Sequence, residues 1–136
     1  MKTFIIDDDQ ISLFLTQHIL ELEKFSDQIS TFLGAEEALE TLKNLAEEEM
    51  PRLILLDLNM PDMNGWEFLQ ELAPLREKLL GRCYIYILTS SLDFTDNIKA
   101  KENELVRDLL HKPIHVDDLN VILADIEGAA DTEEGQ

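Results

Sequence analysis

The chain of 136 residues holds one cysteine, Cys83, which cannot close an internal disulfide. Its three histidines, His18, His111 and His115, are scattered and cannot complete a zinc site with that single thiol. Four prolines and five glycines are too few for a low-complexity or fibrous chain. No apolar run approaches the roughly 20 residues a membrane span needs. The N-terminus meets three acids at Asp7, Asp8 and Asp9 before any leader-like apolar core develops. Together these absences predict a cytoplasmic protein. Positive charge is also scarce: 11 bases face 29 acids, a net charge of −18. Such a surface repels phosphate backbones and anionic lipid, so neither nucleic acid nor membrane is an expected partner.

What is present is a regular alternation. Short apolar runs (Phe4-Ile5-Ile6, Leu53-Ile54-Leu55-Leu56, Tyr84-Ile85-Tyr86-Ile87-Leu88) have the unbroken character of buried parallel strands. Weaker strands are expected at Gln28–Phe32 and Val106–Leu110. Between them lie stretches with helical spacing. Gln10 to Glu23 carries Ile11, Phe14, Leu15, Ile19 and Leu22, with Asp9 as its cap. Ala35 to Glu48, a segment from Trp66 that Pro74 should kink or end, Phe94 to Asn103, and Val116 to Ile126 complete the series. Five strands alternating with five helices predict a doubly wound α/β fold, its parallel sheet ordered 2-1-3-4-5. One domain is expected over residues 1–127, followed by an acidic, disordered tail over 128–136.

In such a sheet, ligands bind beyond the carboxyl ends of the strands. Here the first strand ends in Asp7-Asp8-Asp9 and the third in Asp57, which the strand order makes neighbours. Two carboxylates 4 Å apart repel by roughly 4 kcal/mol at an effective dielectric of about 20. A hard cation would relieve this, and oxygen-only ligands favour Mg²⁺, Mn²⁺ or Ca²⁺ over zinc. A raised carboxylate pKa, or acids simply pointing into water, would relieve it too. The fourth strand delivers the hydroxyls of Thr89, Ser90 and Ser91 to the same edge, and the fifth delivers Lys112. Acid, acid, hydroxyl and ammonium on one rim suit phosphoryl transfer, with Asp57 as nucleophile and Lys112 and Thr89 meeting the charge of the transferred group.

These segments resemble the receiver domains of two-component response regulators over roughly residues 2 to 127. The resemblance rests on Ile5-Ile6-Asp7-Asp8-Asp9, on Leu55-Leu56-Asp57-Leu58-Asn59-Met60-Pro61 with Asn64-Gly65, on Ile87-Leu88-Thr89-Ser90 and on Lys112-Pro113. It implies a flavodoxin-like fold and a phosphorelay role. Asp57 would take a phosphoryl group from a histidine kinase or histidine phosphotransfer protein. Mg²⁺, or Mn²⁺, would be held by Asp8, Asp57 and the backbone carbonyl of Asn59, with Asp7 acting through water or orientation. Thr89, Ser90 and Lys112 would meet the phosphoryl group, and a cis bond is typical before Pro113. The side chains of Asn59 and Ser91 stand where the family tunes acyl-phosphate lifetime. Such a domain is a phosphoacceptor with self-phosphorylation and self-dephosphorylation chemistry, not an enzyme in the ordinary sense. No effector motif follows residue 127, so output is expected through protein contacts, as a monomer or a phosphorylation-dependent dimer.

Two rival readings have sequence counterparts. Leu109 occupies the position where the family often has a reorienting aromatic ring, and the segment Asn103-Glu104-Leu105 lacks the family's small residues. A receiver-like scaffold that takes no phosphate is the corresponding alternative. A phosphatase of the haloacid dehalogenase type would need an acid where Asn59 stands. The stretch Ala73 to Arg82 is long for a receiver. Trp66 is expected to pack rather than dock a partner, the histidines to be structural, and Cys83 to be a buried, inert thiol.

Overall fold

The computed structural model describes residues 1–134, with the side chains of 129–134 outside the description along with residues 135 and 136. The five strands are β1 (Lys2–Ile6), β2 (Gln28–Phe32), β3 (Leu53–Leu56), β4 (Tyr84–Thr89) and β5 (Val106–His111). All pair in parallel, in the order β2-β1-β3-β4-β5. The α-helices are α1 (Gln10–Leu22), α2 (Ala35–Lys43), α3 (Gly65–Glu71), α4 (Arg76–Leu79), α5 (Phe94–Glu102) and α6 (Val116–Glu134).

Strand pleating sorts the core into two layers. Phe4, Ile6, Ile54, Leu56, Ile85 and Ile87 face one side, where Leu39 and Leu42 of α2, Phe68 and Leu69 of α3, Leu79 of α4 and Ala100 of α5 cover them. Ile5, Leu53, Leu55, Tyr84, Tyr86 and Leu88 face the other, under Leu13 and Leu20 of α1 and Leu119, Ile122 and Ile126 of α6. β3 is apolar at every position, and β1 and β4 carry unbroken apolar runs (Phe4–Ile6 and Tyr84–Leu88), because both faces are covered. Register then decides the site: Ile6 pairs with Leu56, so Asp7 and Asp57 are the next residues outward on adjacent strands.

Four expectations need correction. Among the described residues there are six α-helices rather than five, because the helical turn expected between Leu75 and Leu80 forms as α4, after a 3-10 turn (Ala73–Leu75). Pro74 fits the first turn of a 3-10 helix, where its missing N–H leaves no bond unmade. α2 stops at Lys43 rather than Glu48; Asn44 closes it, and Glu47–Glu49 form a separate 3-10 turn. α6 continues to Glu134, past the boundary expected at 127, through alanine and glutamate that favour helix. What remains of the expected disordered tail lies outside the described residues. The fourth correction concerns α1, whose core stripe is Leu13, Thr16 and Leu20. Of the residues read as its apolar face, Ile19 packs against that core, while Ile11, Phe14, Leu15 and Leu22 are 52–73% exposed. The helix carries two apolar stripes, and Asp9 fixes its start by accepting hydrogen bonds from the Ile11 and Ser12 N–H groups. Beyond this, Cys83 is buried, and burial pushes its thiol pKa far up, which disfavours the reactive thiolate.

Candidate functional site

Backbone bonds carry the sheet ladder one residue past the strand ends. Asp57 N–H donates to the Ile6 carbonyl at 2.9 Å, and Asp7 N–H to the Phe32 carbonyl at 3.0 Å. Both side chains are thereby fixed at the rim while still 98% and 95% buried in the case of Asp7 and Asp57. Asp8 is exposed. One carboxylate oxygen from each of the three lies within 4.8 Å of the others. Asp7 is further oriented by accepting the Asp9 N–H at 3.0 Å. Asp9 itself is spent on capping α1, so Asp7-Asp8 is the pair facing the pocket.

Lys112 enters from the end of β5. Its N–H donates to the Thr89 carbonyl at 2.9 Å, and the peptide bond to Pro113 is cis. Its ammonium sits 2.7 Å from Asp7 Oδ2 and 3.5 Å from Asp57 Oδ1, largely shielded from water. Three carboxylates against one ammonium leave two negative charges in a partly dry pocket. Burial raises the Asp57 pKa to about 6. Lys112 opposes that rise, Asp7 adds to it, the Asn59 N–H opposes it and Asp8 adds to it.

The loop after β3 is fastened beneath Asp57. Gly65 N–H donates to the Leu58 carbonyl at 3.0 Å. Asn64 and Glu67 form a reciprocal capping box that starts α3. A Cβ on Gly65 would lie 2.7 Å from the Asp57 carbonyl oxygen and 2.9 Å from Leu58 Cα. Glycine is thus required by the approach of two backbones, not by its φ.

Thr89 is fully buried at the end of β4, and its hydroxyl accepts the Ser91 N–H at 3.1 Å. Ser90 is exposed. Leu109 is half-buried and packs, as Trp66 does, against the layer beneath α3 and α5. His18 is exposed and stacked on Phe14 at 5.9 Å, and His111 and His115 are exposed outside the acidic cluster. Sequence reasoning missed Asp96, which accepts the Trp66 indole N–H at 3.2 Å and the Ser91 hydroxyl at 3.2 Å. No pattern in the chain flags it, because the contact joins residues 30 apart.

The donor set suits a hard divalent cation: three carboxylate oxygens, no nitrogen or sulfur, and a residual charge of minus two. The exposure of Asp8 leaves one side open for water ligands, as Mg²⁺ requires. Among the described residues, no helix is long and apolar enough to cross a membrane.

Comparison with known proteins gives a consistent result. The family model described as "Response regulator receiver domain" matches residues 3–124. The sensory/regulatory protein RpfC of Xanthomonas campestris pv. campestris is 32% identical over 127 residues, 93% of this chain, which spans 16% of that relative's length. A response regulator receiver protein of Dyadobacter fermentans superposes with a TM-score of 0.83 at 29% identity, covering 93% of this chain and 97% of the other. A two component response regulator from Cytophaga hutchinsonii gives 0.84 at 28% identity, with 93% and 96% covered.

Proposed function

The chain belongs to the response regulator receiver family, and from that premise we propose that it takes a phosphoryl group on Asp57 from a phosphohistidine and signals by changing its protein contacts. The observation that carries this is the buried Asp57 carboxylate, 3.5 Å from the Lys112 ammonium and inside a three-carboxylate cluster. An Asp57 oxygen attacks phosphorus. The phosphorus–nitrogen bond breaks, its electron pair returns to the donor imidazole, and an acyl phosphate forms. Lys112 meets the charge on the phosphoryl oxygens, and Thr89 offers its hydroxyl from β4. Asp8, Asp57 and the Asn59 carbonyl would hold Mg²⁺ or Mn²⁺, with Asp7 orienting Lys112 and a metal-bound water. When bound, the cation neutralises charge on the transferred group.

The donor is a histidine kinase or histidine phosphotransfer protein. A groove of about 610 Å³ beside the pocket supports a protein donor: Leu15, Ile19 and Leu22 line it from α1, with Lys112, Pro113 and Ile114 opposite. Its apolar wall leads to the acceptor edge through Lys112 itself. A cytoplasmic location is part of the same proposal.

Incubation with acetyl phosphate should add one acid-labile phosphoryl group to the intact mass, only with Mg²⁺ present, and none to Asp57→Asn. Failure to gain mass with any small donor would favour the scaffold reading, which Leu109 motivates. Turnover of many donor molecules without a trapped adduct would favour a phosphatase, which Asn59 argues against.

The Asp57 titration sets a second test. Its folded pKa, about 6, stands above the ordinary 3.8. Between those values the folded protein keeps a proton that the unfolded chain has lost. Metal-free stability from this group therefore falls as pH rises from about 4 to about 6. A cation offsets the loss only once Asp57 is ionised. Mg²⁺ should thus raise the melting temperature more at pH 7 than at pH 5, and the difference should shrink in Asp57→Asn. An equal or larger rise at pH 5, by scanning calorimetry, would refute the assignment of the cation to this pocket.

A further inference from the structure

α5 is held lightly. Of its nine residues only Ala100 is buried, while Phe94 and Ile98 and the preceding Leu92 are exposed. Its N-terminal turn is tied to the rest of the molecule by side chains that form one continuous chain. The Thr89 hydroxyl accepts the Ser91 N–H at 3.1 Å. The Ser91 hydroxyl donates to Asp96 Oδ2 at 3.2 Å and accepts the Asp93 N–H at 3.2 Å. Asp96 Oδ1 accepts the Trp66 indole N–H at 3.2 Å, and the Lys99 ammonium lies 5.6 Å from the centre of the same ring. A half-buried indole N–H needs a partner, and a carboxylate acceptor is among the stronger ones available.

We propose that Asp96 is a positioning residue that clasps the N-terminal turn of α5 to Trp66 of α3, and that capture of the Thr89 hydroxyl by a phosphoryl group on Asp57 opens the clasp. The proposal rests on Asp57 being the phosphoacceptor. Thr89 is the only link in this chain that belongs to the sheet. A phosphoryl group brings strong acceptor oxygens to the rim where β4 ends. As the Thr89 hydroxyl turns toward them, the Ser91 N–H must follow it or lose its acceptor. Ser91 then cannot keep its hydroxyl on Asp96. The turn of α5 that the clasp held is freed, carrying Leu92 and Phe94, because little apolar burial opposes its movement. Trp66 thus supplies the ring that Leu109 does not, through hydrogen bonding on α3 rather than a rotamer on β5.

Trp66 is the only tryptophan, so its emission reads the clasp directly. Emission and intact mass should be followed together after acetyl phosphate is added to the Mg²⁺-loaded full chain, with Mg²⁺ alone as the baseline. Wild type should change emission in proportion to its gain in mass. In Asp96→Ala the unphosphorylated emission should already match that of the phosphorylated wild type, with no further response. Asp96→Asn, which keeps an oxygen for the indole, should restore part of the response. Ser91→Ala removes the bond to Asp96 whose loss opens the clasp, so its unphosphorylated emission should already lie toward that of phosphorylated wild type and respond little further despite normal mass gain. Mass gain with unchanged emission in wild type, or a full response in Asp96→Ala or Ser91→Ala, would overturn the clasp alone. Absence of mass gain in wild type would overturn the phosphoacceptor reading, and the clasp with it.

Discussion

Gly65→Ala should destabilise the protein by about 1–3 kcal/mol and sharply slow phosphoryl uptake, through one added methyl group. The added carbon would sit 2.7 Å from the Asp57 carbonyl oxygen and 2.9 Å from both Leu58 Cα and Leu58 Cδ2. Two of these three neighbours are backbone, in a strand end paired to Ile6 on one side. Neither can swing away as a long side chain could. Relief must come from moving the start of α3 or the Asp57 carbonyl. Moving α3 breaks the 3.0 Å bond from Gly65 N–H to the Leu58 carbonyl and tilts the Asn64–Glu67 capping box. Moving the carbonyl shifts the acceptor carboxylate against Lys112 and Asp7. Displacements near 1 Å at a reacting centre can cost about 100-fold in rate. Urea unfolding gives the first quantity, and the time course of mass gain gives the second. A variant with wild-type urea midpoint and uptake would show that the two backbones have slack that their spacing does not suggest.

Why Gly65 matters was only half legible in the chain. Asn64-Gly65 stood out as part of a motif, but the reason is a contact between α3 and the end of β3 that no spacing rule reveals. The parallel sheet was readable because Leu53–Leu56 and Tyr84–Leu88 are apolar at consecutive positions, as strands covered on both faces are. The acidic rim followed, since strand order and register put Asp7 beside Asp57 without knowledge of any side-chain position. Asp9 could be set apart as a cap because the helix begins directly after it. The face of α1 was misread for a physical reason: Ile11, Phe14, Leu15 and Leu22 satisfy helical periodicity as well as Leu13, Thr16 and Leu20 do. Periodicity finds a stripe but does not say what covers it. Asp96 was invisible because an acid in the first turn of a helix is ordinary there, and its ties to Trp66 and Ser91 are tertiary.

Lys112→Ala should reduce uptake from acetyl phosphate by about 100- to 1,000-fold, the usual loss when one group meeting the charge of a reacting oxyanion is removed. The ammonium is the only cation paired with Asp7 or Asp57 among the described residues. Its loss acts twice. An arriving phosphoryl group would find no positive side chain to meet its oxygens. The free carboxylate would also become harder to ionise, since Lys112 is the strongest influence holding the Asp57 pKa down against burial. Uptake by the variant should therefore need higher pH than wild type, as well as being slower at every pH. Metal affinity should move the other way or hardly at all, because an ammonium 2.7 Å from Asp7 competes with a cation for the same carboxylates. Lys112→Arg keeps the charge but replaces a compact ammonium with a broad planar fork, so it should restore only part of the rate. Measuring Mg²⁺ affinity by calorimetry beside the pH profile of mass gain separates these effects. Equal losses of metal affinity and uptake in Lys112→Ala would mean that the lysine merely holds the pocket's shape. Undiminished metal binding with slow, alkaline-shifted uptake would make it the group that receives the phosphoryl charge.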